Sequence, residues 1–301
     1  MSTATLENPG IDLYPSRIAE EPQLQERQDP VVHGNVAGPL SAAELERYER
    51  EGYLSFEQLF TEDELKPYIA ELTRLQQDEA IKSAETTITE PGSGEVRSIF
   101  AIEEHNAILR QICHHPRLAD IARQLLGGDV YIHQSRINCK PGFKGKEFYW
   151  HSDFETWHVE DGMPRMRAVS CSLSLTPNNE HNGPLMVIPG SHKRFLSCVG
   201  KTPENNYKTS LKQQDIGVPD QHSLTDMVEQ GGIVAPKGPA GSVTFFECNI
   251  MHGSNSNITP YPRSNIFMVF NSIENTLVEP FCGLAPRPDF IAKRGDVQPI
   301  S

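Results

Sequence analysis

The chain has 301 residues, 37% of them hydrophobic, and a formal net charge of −13. That length and apolar content suit one large β-barrel domain with decorations, and the acidic balance argues against nucleic acid, whose binding needs a basic face, and against anionic membrane surfaces. The start, Met1-Ser2-Thr3-Ala4-Thr5-Leu6-Glu7, lacks a basic and apolar leader pattern, and no run approaches the roughly 18 apolar residues of a membrane span. Six scattered cysteines (Cys113, Cys139, Cys171, Cys198, Cys248, Cys282) form no Cys-x-x-Cys pair, so reduced thiols and a cytoplasmic location are the expectation.

Residues 1–40 carry five prolines and little periodicity. They read as an extended arm that wraps the domain, with a disordered tail as the alternative. A single domain over 41–301 follows, with a helical front at 41–128 and a jelly-roll core at 129–301. Ser41-Ala42-Ala43-Glu44 is a capping box and predicts a helix to about Arg50, stopped by Gly52. Thr61-Glu62-Asp63-Glu64 is a second one. Leu65, Ile69, Leu72 and Leu75 recur after it at helical spacing, which extends the helix to about Ile81, with a kink expected at Pro67. Residues 83–98 read as a loop. His115-Pro116 opens a further helix that ends at Gly127-Gly128.

From Asp129 the period changes to two. In Val130–Lys140 the polar residues Gln134, Arg136, Asn138 and Lys140 share one face of a regular strand, read as an inward, ligand-facing row. In Arg167–Thr176, Val169, Cys171, Leu173 and Leu175 alternate with Ala168, Ser170, Ser172 and Ser174, giving one core face and one small polar face fit to line a cavity. Leu185–Ile188, Val243–Cys248 and Ser264–Ser272 are further strands. Residues 193–238 are polar with weak periodicity, and a connection of that length reads as a lid. The whole pattern predicts a mainly β fold with flanking helices: a double-stranded β-helix, or jelly roll, of cupin type.

The chemistry concentrates in Phe148–Gly162, around His151-Ser152-Asp153. Residues two apart on an extended strand project from one face, so an imidazole and a carboxylate can converge. His252 follows the strand Val243–Cys248. Two histidines and one carboxylate are the facial triad of non-haem Fe(II) enzymes, which leaves one side of the metal open. The dipeptide spacing alone is weak evidence, because His-x-Asp occurs often by chance and more often marks a surface turn. His192, after Pro189-Gly190-Ser191, is read as structural.

The order of His151, Asp153, the Asn182–His192 run, His252 and Arg263 resembles the phytanoyl-CoA-hydroxylase-like branch of the Fe(II)/2-oxoglutarate-dependent dioxygenases. The full Phe148–Gly162 run, with Asp12–Arg17 and Arg27–Val32, resembles the ectoine hydroxylases of that branch over nearly the whole chain. The resemblance implies Fe(II) on His151, Asp153 and His252, with 2-oxoglutarate and O2 as co-substrates. It implies that Arg263, eleven residues after His252, clamps the distal carboxylate of 2-oxoglutarate, because a guanidinium fork meets a carboxylate bidentately. Ser254 and Lys140 are the further co-substrate contacts it implies; Lys140 is otherwise a solvated turn lysine. For ectoine, a cyclic amidine with a carboxylate, it implies a wall at Trp157, hydrogen bonding from Gln134 and charge neutralisation by Arg287. Trp157 and Gln134 are also readable as core and barrel residues. Hydroxylation of ectoine to 5-hydroxyectoine, with succinate and carbon dioxide as co-products and a homodimeric assembly, is the implied function.

Two other readings stay open on the residues. One is a related dioxygenase acting on another small polar substrate such as an amino acid. The other is a metal-holding jelly-roll binding module, although such a module has no use for a clamp at Arg263. A halogenase is disfavoured because Asp153 fills the position that halide needs.

Overall fold

Both capping boxes form in the computed structural model, which describes residues 12–300; the first eleven residues of the expected arm lie outside them. Ser41 and Thr61 each accept from the backbone N–H of the glutamate three residues on, and that glutamate returns the bond. The helices are Ala42–Glu51, closed by Gly52 at φ 81°, and Glu62–Gln77. Pro67 lies inside the second helix without ending it. That helix stops short of the expected Ile81 because the Asp78 carboxylate accepts from the N–H groups of Ala80 and Ile81, starting a separate turn, Glu79–Lys82. Pro116–Leu126 forms as read, with Pro116 in the first turn. Two short helices, Ile102–His105 and Ala107–Cys113, were not anticipated.

The expected loop at 83–98 is corrected. Thr87–Thr89 and Val96–Phe100 pair as a hairpin and extend the main sheet. Their strand character comes from docking on Val130–Lys140, a long-range pairing that short polar segments do not announce.

Seven antiparallel strands form the main sheet, in the order Tyr53–Phe56, Val243–Glu247, Ala168–Ser174, Arg263–Ser272, Val130–Lys140, Val96–Phe100, Thr87–Thr89. A second sheet of three pairs His252–Ser254 with Phe148–His151 and Leu185–Val187. The two sheets are the layers of a jelly roll. Val169, Cys171, Leu173, Ile266 and Met268 pack outward against the helical residues Leu65, Leu72, Leu109, Leu118 and Leu125. Phe246, Phe267 and Val269 face inward with Val187 and Trp157.

One irregularity sets the phase of the strand Val130–Lys140. Val269 pairs with Gln134 but Phe270 pairs with Ile132, so His133 is an extra residue in the ladder. Before it, Val130 and Ile132 face the helical core; after it, Ile137 and Cys139 do. The bulge thereby turns Gln134, Arg136, Asn138 and Lys140 to the interior.

Gln23–Glu26 pairs with Arg194–Ser197 as a small outer sheet. Tyr14 is fully buried and donates to Asp29, and Arg27 pairs with Glu247 at 2.8 Å. The stretch 193–238 is more structured than its polarity suggested, holding the strand Arg194–Ser197 and the helix Gln221–Gly231, capped by Asp220. Among the described residues no helix is long and apolar enough to cross a membrane.

Candidate active site

His151 ends one strand of the small sheet, and His252 opens the neighbouring one directly opposite it. Asp153 is not on a strand, as the two-residue spacing assumed. Ser152 is extended, and Asp153 is the first residue of the helical turn Asp153–Thr156. Its carboxylate still meets both rings: Oδ1 lies 3.6 Å from His151 Nε2 and Oδ2 3.7 Å from His252 Nε2. One ligand atom from each of the three residues falls within 4.8 Å of the others.

Local bonds orient each donor. His151 Nδ1 lies 2.6 Å from the Tyr149 carbonyl and His252 Nδ1 3.0 Å from that of Ile250. A carbonyl can only accept, so each Nδ1 carries the proton and each Nε2 presents a lone pair to the centre. Burial, with His151 beside it, lowers the His252 pKa to about 4, which keeps the ring neutral as a ligand must be. Burial works against the charged form of Asp153, but the neighbouring His252, His151 and Arg136 hold its carboxyl well below the usual range. Ser170, from the small polar face of its strand, donates to Asp153 Oδ2 at 3.2 Å. Two imidazoles and one ionised carboxylate fit a divalent iron with an open face.

Two chambers meet at this triad. The first is lined by Lys140, Ser254 and Arg263 together with Arg136, Asn138 and Asn265. Arg263 and Lys140 sit opposite each other in the ladder. Lys140 Nζ donates to Ser254 Oγ at 2.7 Å and to the Asn255 carbonyl at 2.5 Å, so it is no solvated turn lysine. Burial, with Arg263 and Arg97 nearby, lowers its pKa to about 6. Arg263 has no acidic partner among the described residues, its Nε is buried without a hydrogen bond, and burial lowers its pKa to about 10. Such a guanidinium lacks an anion, and the chamber walls supply no carboxylate.

The second chamber gathers Gln134, Trp157 and Arg287 with His151 and Asp153. All three residues assigned to substrate therefore converge beside the triad. Trp157 belongs to the π-helical turn Trp157–Asp161, a distortion frequent at functional sites, and meets His133 edge-on at 5.3 Å. Gln134 Nε2 donates to the Ile291 carbonyl at 2.6 Å and its Oε1 accepts from Arg136 at 3.0 Å. Arg287 uses Nε and Nη2 on Asp161, at 2.7 and 2.5 Å, while its Nη1 has no partner among the described residues.

Sequence reasoning noted Arg136 on the inward face and gave it no role. It lines both chambers, lies 4.4 Å from the Phe267 ring, and has an unpartnered Nε and no acidic partner among the described residues. Burial lowers its pKa to about 10, against the pull of Asp153. Its position in a polar strand row was the available signal. The rest of Phe148–Gly162 is tied down elsewhere. His158 is held by Asp12 and the Met163 carbonyl, Asp161 by Arg287, and Glu155 and Glu160 by Arg17. His192 is buried against the Glu49 carbonyl and is not among the three residues whose ligand atoms converge.

Comparison with known proteins agrees with this geometry. Residues 48–265 match the family described as phytanoyl-CoA dioxygenase (PhyH). The chain is 55% identical to the ectoine dioxygenase of Stutzerimonas stutzeri over 96% of both chains. It is 58% identical to that of Bordetella bronchiseptica over 95% of this chain and 94% of that one. The crystal structure of EctD from S. alaskensis with 2-oxoglutarate and 5-hydroxyectoine superposes with a TM-score of 0.86 at 50% identity, covering 95% of this chain and 96% of that one. The same protein with bound Fe gives 0.86 at 48% identity, over 96% and 97%. With the triad, the basic chamber and these likenesses in agreement, the chain belongs to the phytanoyl-CoA dioxygenase family and, within it, to the ectoine dioxygenases.

Proposed function

We propose that the protein is an Fe(II)- and 2-oxoglutarate-dependent dioxygenase that hydroxylates ectoine to 5-hydroxyectoine, releasing succinate and carbon dioxide. The observation that carries the reading is the junction: a two-histidine, one-carboxylate triad opens onto a chamber whose half-buried cation, Arg263, has no acidic partner among the described residues. His151, Asp153 and His252 hold the iron, which when bound supplies the activation of O2 and of the co-substrate's keto acid. Arg263 takes the distal carboxylate of 2-oxoglutarate bidentately, with Ser254 and Lys140 donating beside it.

In the second chamber ectoine lies with its delocalised ring cation against the Trp157 indole. Arg287 Nη1 receives the ectoine carboxylate, Gln134 orients the ring, and Arg136, between the chambers, faces the carboxylates of both reactants. Phe148 and Phe267 help to keep water from the junction. A homodimer acting in the cytoplasm completes the proposal; the family likeness supports the dimer, and six unpaired cysteines support a reducing compartment.

The test is incubation with ectoine, Fe(II), 2-oxoglutarate and oxygen, with succinate and hydroxylated ectoine counted by mass spectrometry in the same reaction. One hydroxyectoine per succinate is expected. Succinate without any hydroxyectoine overturns the substrate, and neither product overturns the enzyme. Sedimentation velocity checks the dimer.

A further inference from the structure

We propose that Arg17 is a positioning residue that holds segment 202–217 closed over the substrate chamber. Its side chain is 2% exposed and joins three parts of the chain. Nε and Nη2 grip the Glu155 carboxylate at 2.9 and 2.7 Å, and Nη1 reaches Glu160 Oε1 at 2.6 Å and Thr202 Oγ1 at 3.1 Å. Glu155 and Glu160 flank Trp157 on the turn that begins with Asp153. Asn206 Nδ2 binds the same Glu160 oxygen at 2.7 Å. Gly217, at φ 75°, packs so closely that a Cβ there would strike Arg17 and Glu155. Between these anchors Asn206, Ser210, Leu211, Gln214 and Ile216 line the chamber that holds Trp157 and Gln134. One guanidinium thus bonds the iron-binding turn on one side and Thr202, at one end of the covering segment, on the other, while Gly217 at the far end packs against it.

The placement is enforced. Arg17 sits at φ 61°, a region that L-residues with a side chain rarely occupy. Its N–H is fixed by the Cys198 carbonyl at 2.9 Å, and Ser16 Oγ donates to Glu155 at 2.6 Å while accepting from Cys198 N–H. Without Arg17, two buried carboxyl groups lose their cation, and the segment keeps only the Asn206–Glu160 hydrogen bond to the turn among the described residues. The 2-oxoglutarate chamber has no wall from this segment, so the effect separates by substrate.

The kinetic arm rests on the ectoine reading; the exchange arm does not. Hydrogen exchange of residues 202–217, and the KM values for both substrates, are measured in intact wild type, Arg17→Ala, Arg17→Lys and Asn206→Ala. Arg17→Ala is expected to speed exchange in the segment, to raise the ectoine KM roughly tenfold or more by loss of charge-assisted bonds, and to release succinate in excess of hydroxylated product. The KM for 2-oxoglutarate should stay within about twofold. Arg17→Lys restores charge without the fork and should recover part of the loss. If ectoine is not turned over at all, the exchange result alone decides. Unchanged exchange, or equal rises in both KM values, overturns the proposal. Should Arg17→Ala fail to fold, Asn206→Ala decides: wild-type exchange and ectoine KM there overturn it.

Discussion

Replacing Arg263 with Met should separate stability from function. Beside Lys140 its Nε is buried and unbonded, and the guanidinium has no acidic partner among the described residues. Burying an ion without compensation costs several kcal/mol, and exchanging such groups for apolar side chains of similar size is neutral or stabilising by about 1–4 kcal/mol. The ligand-free variant should therefore melt at or above the wild-type temperature, by about 2–4 °C for each kcal/mol gained. Co-substrate binding should move the other way. Loss of a charged hydrogen-bond partner costs about 1.5–3 kcal/mol, so the apparent KM for 2-oxoglutarate should rise roughly ten- to a hundredfold. In anaerobic Fe(II) solution, 2-oxoglutarate at a hundred times its dissociation constant stabilises wild type by about 2.7 kcal/mol; the variant should lose most of that shift at the same concentration. A ligand-free variant that melts well below wild type, or one that keeps the full 2-oxoglutarate shift, refutes the idea that Arg263 is held unpaired for the co-substrate.

His252→Ala should abolish turnover with Fe(II) in excess while far-ultraviolet circular dichroism stays native, since the hydrogen bond its ring makes is local, to the Ile250 carbonyl, and braces no distant element; retained activity would remove it from the proposed metal site. Trp157→Ala forfeits about 0.5–2 kcal/mol of ring contact, and misplacement of the substrate by about 1 Å can cost on the order of a hundredfold; hydroxyectoine should fall short of succinate, and an unchanged ratio at normal rate would leave Trp157 a packing residue. Lys140 carries a folded pKa of about 6 against 10.5 for the free side chain. Between those values the unfolded chain binds the extra proton, so this group makes the ligand-free protein more stable as pH rises through the window, by up to about 1.4 kcal/mol per pH unit. Denaturant unfolding of wild type minus Lys140→Met should show that slope, and a difference independent of pH over 6–10 would contradict it.

What was legible in the sequence was whatever a local period or a capping pattern encodes. The two capping boxes, the alternation in Arg167–Thr176 and the polar row from Gln134 to Lys140 all formed. The row faces inward only because His133 adds a residue to the ladder, and a bulge leaves no mark on a period of two. Asp153 joins the two histidines by opening a helical turn, so the strand argument applies only to His151 and Ser152. The hairpin at 87–100 was missed because it depends on an edge supplied by Val130–Lys140. The same limit hid the partners of the Phe148–Gly162 run. Arg17 and Glu155 lie 138 positions apart, and Asp161 and Arg287 lie 126 apart.

Those distant pairs explain which cations remain for ligands. The protein is acidic overall, yet the buried carboxylates around the chambers are committed: Glu90 to Arg97, Asp161 to Arg287, Glu155 and Glu160 to Arg17. Arg136 and Arg263 are left half-buried, each with a buried Nε and without an acid among the described residues, and the hydrogen-bond partners of Lys140 are neutral. An unpaired buried cation weakens the empty fold, and its charge is satisfied when an anion of matching shape enters. On the proposed reading the two reactants bring such groups: the distal carboxylate of 2-oxoglutarate would go to Arg263, with Lys140 donating beside it, and the carboxylate of ectoine to the side of Arg136 and Arg287. On that reading, binding strength at this site would come from charges that folding leaves uncompensated, and the ion pairs that hold the Phe148–Gly162 turn keep its carboxylates engaged elsewhere.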